Sequence, residues 1–159
     1  MFSKLLIMAK NKKINVQGNE ITIIENKGKE YISLTDMLKA KDGDFFISDW
    51  LRNRNTVEYL GIWESVYNPD FNYGEFAIIK SQAGLNSYRI KEWVEKTNAI
   101  GLKATTGRYG GTYAHPDIAF EFGMWISPQF KIFLITFCSN CLLFTSSYFF
   151  NHFANIFKR

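Results

Sequence analysis

Residues 105–117 read TTGRYGGTYAHPD, and the reading of this stretch decides the fold. β-Branched Thr105 and Thr106 favour extended chain and Gly107 favours a turn. The run from Tyr109 to Tyr113 around Gly110-Gly111 then reads as two short strands joined by a Gly-Gly turn. Pro116 suits the first position of a helix, with His115 as its cap and Asp117 in its first turn, so "DIAFEFGMWIS" follows as a helix. The stretch predicts a β-ribbon that projects Arg108 and ends in a helix packed back on the core. A basic ribbon beside helices is one of the shapes that nucleic-acid grooves accept. The other reading of the same residues is an ordinary surface hairpin with an incidental arginine.

Upstream, "ITIIENKGKEYISL" places two apolar, β-branched runs around Asn26-Lys27-Gly28-Lys29, a hairpin with Gly28 available for a positive φ. Ser33 and Asp36 fit a capping box for "LTDMLKAKDG", a helix expected to stop near Gly43. Ser48 is the expected cap of "DWLRNRN". Asn55 with Glu58 is the expected cap of "TVEYLGIWESVYN", whose Val57, Leu60, Trp63 and Val66 are read as one face. Two more helices are expected: "EFAIIKSQAG", ending at Gly84, and "IKEWVEKTNAIG", ending near Gly101 after an Ile90, Trp93, Val94 stripe. Trp50, Trp63, Trp93 and Trp125 are read as core.

At 159 residues, 47% apolar and 21% charged, the chain is a folded protein with room for one real core, and whole-chain disorder is excluded. The net charge of +4 admits a nucleic acid or an anionic membrane as partner without deciding between them. Its distribution says more: residues 1–55 carry ten Lys/Arg against seven Asp/Glu, 86–115 five against two, and 56–85 one against four. Two basic segments flank an acidic one. The N-terminal LLIMA is too short for the apolar region of a secretory signal.

Four segments together carry a family resemblance: "YISLTDMLKAK", "WLRNRNTVEYLGIWESVYNPDFNYGEF", "GLNSYRIKEWVEKTNAIGL" and "GRYGGTYAHPDIAFEFGMWISPQFKIFLI". From about Ile21 to Ile135 the chain resembles a KilA-N domain, the DNA-binding module of phage and large-DNA-virus proteins, similar in fold to the APSES domain of fungal transcription factors. The resemblance implies a compact α+β domain with β-hairpins, several short helices and a β-hairpin wing, in which a helix pair and the wing face DNA. It places Arg52, Asn53, Arg54, Asn55 and Thr56 on the family's W-L-R-x-[KR]-x-T motif. Arg108, Tyr109, Gly110, Gly111, Thr112 and His115 fall on its glycine-rich hairpin and H-P junction. Lys103 and Thr105, just before that hairpin, are further candidate DNA-binding residues. Two departures stand out. "NSYRIKEW" is shorter than the family's usual link, and after Phe130-Lys131 the family's charged helix is replaced by "TFCSNCLLFTSSYFFNHFANIFKR".

That ending has no Lys, Arg, Asp or Glu from Ile132 to Phe157. Its length would allow a membrane crossing of roughly 20 residues, but Thr136, Ser139, Asn140, Thr145, Ser146, Ser147 and Asn151 interrupt it; a truncated or frame-shifted end fits better, with a helix packed on the domain as the other reading. The expected organisation is an N-terminal extension (1–18), a KilA-N-like domain (19–135) and a hydrophobic tail (136–159). Cys138, Cys141 and His152 are one ligand short of a structural zinc site, so no metal and no cofactor is expected. Asp70, Glu75 and Lys80 superficially suggest a metal-dependent nuclease, but Lys80 lies five residues past Glu75 rather than two, and no other catalytic motif occurs. The reading is a non-enzymatic, cytoplasmic, phage-related protein in transcription regulation, with double-stranded DNA as partner. Its alternatives are a protein-interaction module with a basic surface, or the DNA-binding fragment of a nuclease.

Overall fold

A computed structural model of the chain describes residues 12–16, 19–40, 47–106 and 110–142. The chain divides into two units, Met1–Phe122 and Gly123–Arg159. The first holds a five-stranded antiparallel sheet in the order β1-β2-β3-β5-β4, formed by β1 (Lys12–Val16), β2 (Asn19–Asn26), β3 (Lys29–Ser33), β4 (Leu102–Thr105) and β5 (Gly111–Ala114). Helices α1 (Leu34–Lys39), α2 (Ile47–Arg52), α3 (Arg54–Tyr67), α4 (Tyr73–Ser81) and α5 (Ile90–Thr97) lie between β3 and β4, and α6 (Pro116–Ile126) follows β5. The second unit contains the end of α6 and α7 (Pro128–Leu142). The architecture is α+β, with both expected hairpins.

The β2–β3 hairpin follows from alternation in β2, where Ile21 and Ile23 are buried, and from a two-residue turn in which both central residues have positive φ, Lys27 at 52° and Gly28 at 74°. Edge strand β1 pairs with β2 from Lys12↔Ile23 to Val16↔Asn19. It falls within the stretch read as an extension, because its sequence KKINV offers too little alternation to announce a strand.

Several helix starts differ from the sequence reading, each for a local reason. Ser33 does cap α1, its hydroxyl accepting from Asp36 N at 3.1 Å. Asp36 does not close the capping box; its carboxylate accepts from Thr22 N at 3.1 Å and ties α1 to β2. Ser48 lies inside the first turn of α2 rather than capping it. Asn53, not Asn55, caps α3, its side chain accepting from Asn55 N at 2.9 Å. Helix α1 ends at Lys39 with Ala40 as C-cap, and Gly43 lies outside the described residues. Helix α5 ends at Asn98 in the left-handed conformation, φ 54°, rather than at Gly101.

Val57, Leu60 and Trp63 are buried, whereas Val66 is 68% exposed. A spacing of three drifts by about 60° per step on a helix of 3.6 residues per turn, so after nine residues Val66 points opposite to Val57. The buried side continues instead through Glu64 and Asn68. Around it the core of the first unit gathers Leu34, Trp50, Leu51, Leu60, Ile79, Trp93, Leu102, Ile118 and Phe122. Trp50 and Phe122 meet edge to face at 5.1 Å, and Phe76 and Trp93 do so at 6.2 Å. Trp50, Trp63 and Trp93 are core as expected, and Trp125 is half-buried.

Candidate nucleic-acid interface

The β4–β5 hairpin is fixed at its base by a buried carboxylate. Glu64, 1% exposed on α3, accepts from Gly101 N at 2.7 Å, from Ile100 N at 3.0 Å and from Asn68 Nδ2 at 2.8 Å. Tyr31 on β3 adds a hydrogen bond from its hydroxyl to Ile100 O at 3.1 Å; burial and then the Glu64 charge raise its pKa. Gly101 is needed for close approach, since a Cβ there would stand 2.8 Å from Trp63 Cζ3 and 3.0 Å from Glu64 Oε1. Further out, Thr112 N donates to Thr35 Oγ1 on α1 at 3.0 Å. Thr105 Oγ1 closes the ladder with Gly111 N at 3.0 Å. Gly111 is the first residue of β5 rather than a turn residue, and it packs against Thr35.

On this base Lys103 is the prominent cation. Its Nζ lies 4.7 Å from the centroid of the Tyr31 ring. Burial, and then the charge of Lys27, lower its pKa. Lys103, Thr105, Gly110, Gly111 and Thr112 are thus brought together on one hairpin. Arg108 and Tyr109 lie outside the described residues.

A second group forms at the α2–α3 junction. Arg52 is locked to Gly84, which has φ 92°: its Nε donates to Gly84 O at 3.1 Å and its carbonyl accepts from Gly84 N at 2.9 Å. Asn53, Arg54 and Asn55 are exposed at the start of α3, where the backbone N–H groups and helix dipole favour anions. Arg54 Nε lies 3.6 Å from Glu58 Oε1, and Lys80 Nζ lies 3.2 Å from the same oxygen. Lys80 first and Arg54 second hold the Glu58 carboxyl below its usual range; two cations share one acid, leaving a net positive charge. Thr56 is buried, 2% exposed, and supports this helix end from inside.

His115 is separated from that group. It packs against Trp63 at 4.9 Å and Tyr67 at 6.5 Å between ring centroids, and nine helical residues, about 13 Å, separate Arg54 from Trp63. His115 is the junction residue of α6: its carbonyl accepts from Ala119 N at 2.9 Å, and its own N donates to Gly101 O at 2.8 Å. Its Nδ1 lies 3.4 Å from Asp117 N and 3.3 Å from Asp117 Oδ2.

The family model described as the KilA-N domain matches residues 14–141. The chain belongs to the KilA-N family. No curated protein and no solved structure matches it significantly. KilA-N domains are generally DNA-binding rather than catalytic, which gives this chain a DNA-binding role in coarse terms. The matched span includes β1 from Ile14 onward as well as α7 as far as Cys141.

The residues weighed as a nuclease centre do not form one group in this KilA-N domain. Asp70 N donates to Asn68 Oδ1 in the α3–α4 turn, Glu75 lies in the first turn of α4 and Lys80 faces Glu58. Among the described residues no cluster of three or more His, Cys, Asp or Glu could hold a metal ion. Cys138 is a free thiol; the Cys141 side chain and His152 lie outside the described residues. No helix among them is long and apolar enough to cross a membrane. Residues 143–159 of the expected tail lie outside the description, whereas its first part belongs to α7.

Sequence reasoning missed Glu64, Thr35, Gly84 and Lys80 as supports of the two basic groups. Glu64 did carry a signal: seven residues from Val57 returns a helix to the same side, within about 20°.

Proposed function

We propose that this KilA-N domain binds double-stranded DNA through the β4–β5 hairpin, with the α2–α3 junction as a second basic contact. The reading rests on Lys103, a half-buried lysine on the hairpin with no ion-pair partner among the described residues. Partly desolvating an ammonium group without a counter-ion is unfavourable, and a backbone phosphate supplies the missing anion. Arg52 and Arg54 with the exposed Asn53 and Asn55 offer phosphate contacts at a helix N-terminus, and Arg108 adds its charge from the sequence between β4 and β5. The family's occurrence in phage and large-DNA-virus proteins extends the reading to a phage- or mobile-element-derived protein acting in the cytoplasm in transcription regulation.

The test is titration of the full chain with labelled mixed-sequence duplex at several salt concentrations. Four cations (Arg52, Arg54, Lys103 and Arg108) at about 0.9 each give a log–log slope of at least roughly 3.6 in magnitude, and any further phosphate contact adds to it. No binding at low salt, or a flat response, refutes the proposal. Capture of polyglutamate in place of DNA would favour an interaction module for acidic proteins, and metal-dependent cleavage would establish a nuclease.

A further inference from the structure

The β2–β3 turn presents Lys27 in a conformation that suits other residues better. Lys27 has φ 52° and Gly28 φ 74°, and the turn is closed by Asn26 pairing with Lys29. A two-residue turn with both φ values positive favours Asn-Gly or Asp-Gly most strongly. A lysine held there is an observed backbone outlier of the kind that points to function.

Strand register then places a second and a third lysine beside it. Ser33 pairs with Tyr113, and Tyr113 pairs with Lys103. Cross-strand partners share a face and alternate residues of a strand do likewise, so Lys29, Tyr31, Ser33, Tyr113 and Lys103 are on one face of the sheet, where Tyr31, Ser33 and Tyr113 are buried and the lysines stand at the rim with Lys29 exposed and Lys103 half-buried. Lys103 reaches back over the Tyr31 ring, towards the turn, and feels the charge of Lys27. The carboxylates of this hairpin, Glu25 and Glu30, pair with each other and by the same alternation face the other side. Lys13, Lys39, Arg54, Lys80, Lys91 and Lys96 each have an acidic partner. Lys27, Lys29 and Lys103 have none among the described residues.

We infer that Lys27, Lys29 and Lys103 form a three-lysine phosphate-binding rim around the buried Tyr31, so that duplex DNA held by the β4–β5 hairpin also lies against the β2–β3 turn. This rests on the proposed DNA binding and extends its footprint. Four residues from Lys29 to Ser33 and two from Lys103 to Thr105 span about 20 Å at 3.3 Å per residue. That length of duplex axis carries about twelve phosphates, one per 1.7 Å, so the turn and the hairpin can sit on phosphates at once.

The test compares the full chain with K27N/K29T and with K13Q/K91Q by salt-dependent titration of mixed-sequence duplex. Both double variants lose two positive charges, but Lys13 and Lys91 already face Glu20 and Glu95. K27N creates the favoured Asn-Gly turn and Thr suits a strand, so K27N/K29T melts no lower than the wild type. Its slope falls by about 1.8, two contacts at 0.9 each, while K13Q/K91Q keeps the wild-type slope and K27R/K29R restores it. A wild-type slope in folded K27N/K29T, or an equal fall in K13Q/K91Q, overturns the inference while DNA binding itself stands. Failure of the wild type to bind at all would instead refute the proposed function on which the inference rests.

Discussion

Removal of the Glu64 carboxylate tests how the hairpin is held. Glu64→Ala strands three donors inside the protein, Ile100 N, Gly101 N and Asn68 Nδ2. Each buried donor left unpaired costs about 1–3 kcal/mol. The additive limit of about 9 kcal/mol is an upper bound, because water can enter the space left by the side chain. With water relieving part of that cost, about 3–5 kcal/mol is expected, one to two unpaired donors' worth. For a chain of this length that is a fall in Tm of roughly 10–15 °C.

Glu64→Gln separates the hydrogen bonds from the packing. Its amide oxygen at the Oε1 position still accepts from Gly101 N and from Ile100 N, which reaches both carboxylate oxygens at 3.0 and 3.1 Å. The new NH2 at Oε2 then faces Asn68 Nδ2, donor against donor. Asn68 cannot turn its amide over without losing the bonds from Nδ2 to Asn98 O and from Asp70 N to Oδ1. One lost bond of this kind costs about 1–3 kcal/mol, so Glu64→Gln falls between the wild type and Glu64→Ala. Circular dichroism melts give the ranking, and amide exchange shows whether Ile100 and Gly101 lose protection before global unfolding. An alanine variant melting within about 2 °C of the wild type, less than 1 kcal/mol at this size, would show that the three donors find other acceptors and that Glu64 does not hold the hairpin.

Gly101→Ala forces a Cβ against Ile118, Trp63 and Glu64; overpacking costs about 1–3 kcal/mol, read as a lower denaturant midpoint. Tyr59, whose hydroxyl donates to Asp117 O at 3.1 Å, is pushed up from 10.0 to about 12 by burial first, then by Asp117, Glu121 and Tyr67. Its raised pKa gives stability that is complete below pH 10 and lost as pH rises towards 12. Denaturant titrations of the wild type therefore show an alkaline loss that Tyr59→Phe reduces, and equal losses in both would refute the assignment. Asp36 is partly desolvated, but hydrogen bonds from Thr22, Lys39 and Ser33 outweigh that and hold its pKa below 3.8. Asp36→Asn therefore weakens the wild type's loss of stability as pH falls through this range, and an unchanged acid profile would refute the assignment.

What could be read from the sequence was mostly local. The apolar, β-branched run Ile21 to Ile24, the Lys27-Gly28 turn, the Ser33 cap and Pro116 at the start of α6 are each specified within a few residues, and each appears in the structure. Non-local constraints account for most of the differences. Asp36 leaves its own helix end because Thr22 on β2 offers a half-buried N–H. Gly101 does not end α5, since Asn98 takes the left-handed position and Gly101 is held where a side chain would strike Ile118 and Trp63. Val66 was misplaced by counting in threes, whereas counting in sevens from Val57 would have singled out Glu64. Of the candidate site, the arginine-asparagine run and the hairpin were legible as motifs. Their supports Thr35 and Gly84, far away in sequence, were not.

Anchoring groups and unpaired cations are different residues here, so stability and salt dependence should vary independently. Glu64, Asn68, Tyr31 and Thr35 hold β4–β5 through bonds directed into the protein. Lys27, Lys29 and Lys103 have no acid to stabilise among the described residues, so neutralising them removes little that favours folding and, by relieving repulsion, can favour it. Glu64→Gln, measured well below its Tm, should keep the wild-type salt slope while melting earlier, and K27N/K29T should do the reverse. A Glu64→Gln protein that is fully folded yet has lost slope would mean that its carboxylate sets where the cations sit. The hairpin would then be an adjustable arm whose charge placement depends on its root, not a rigid platform that carries charges fixed by strand register.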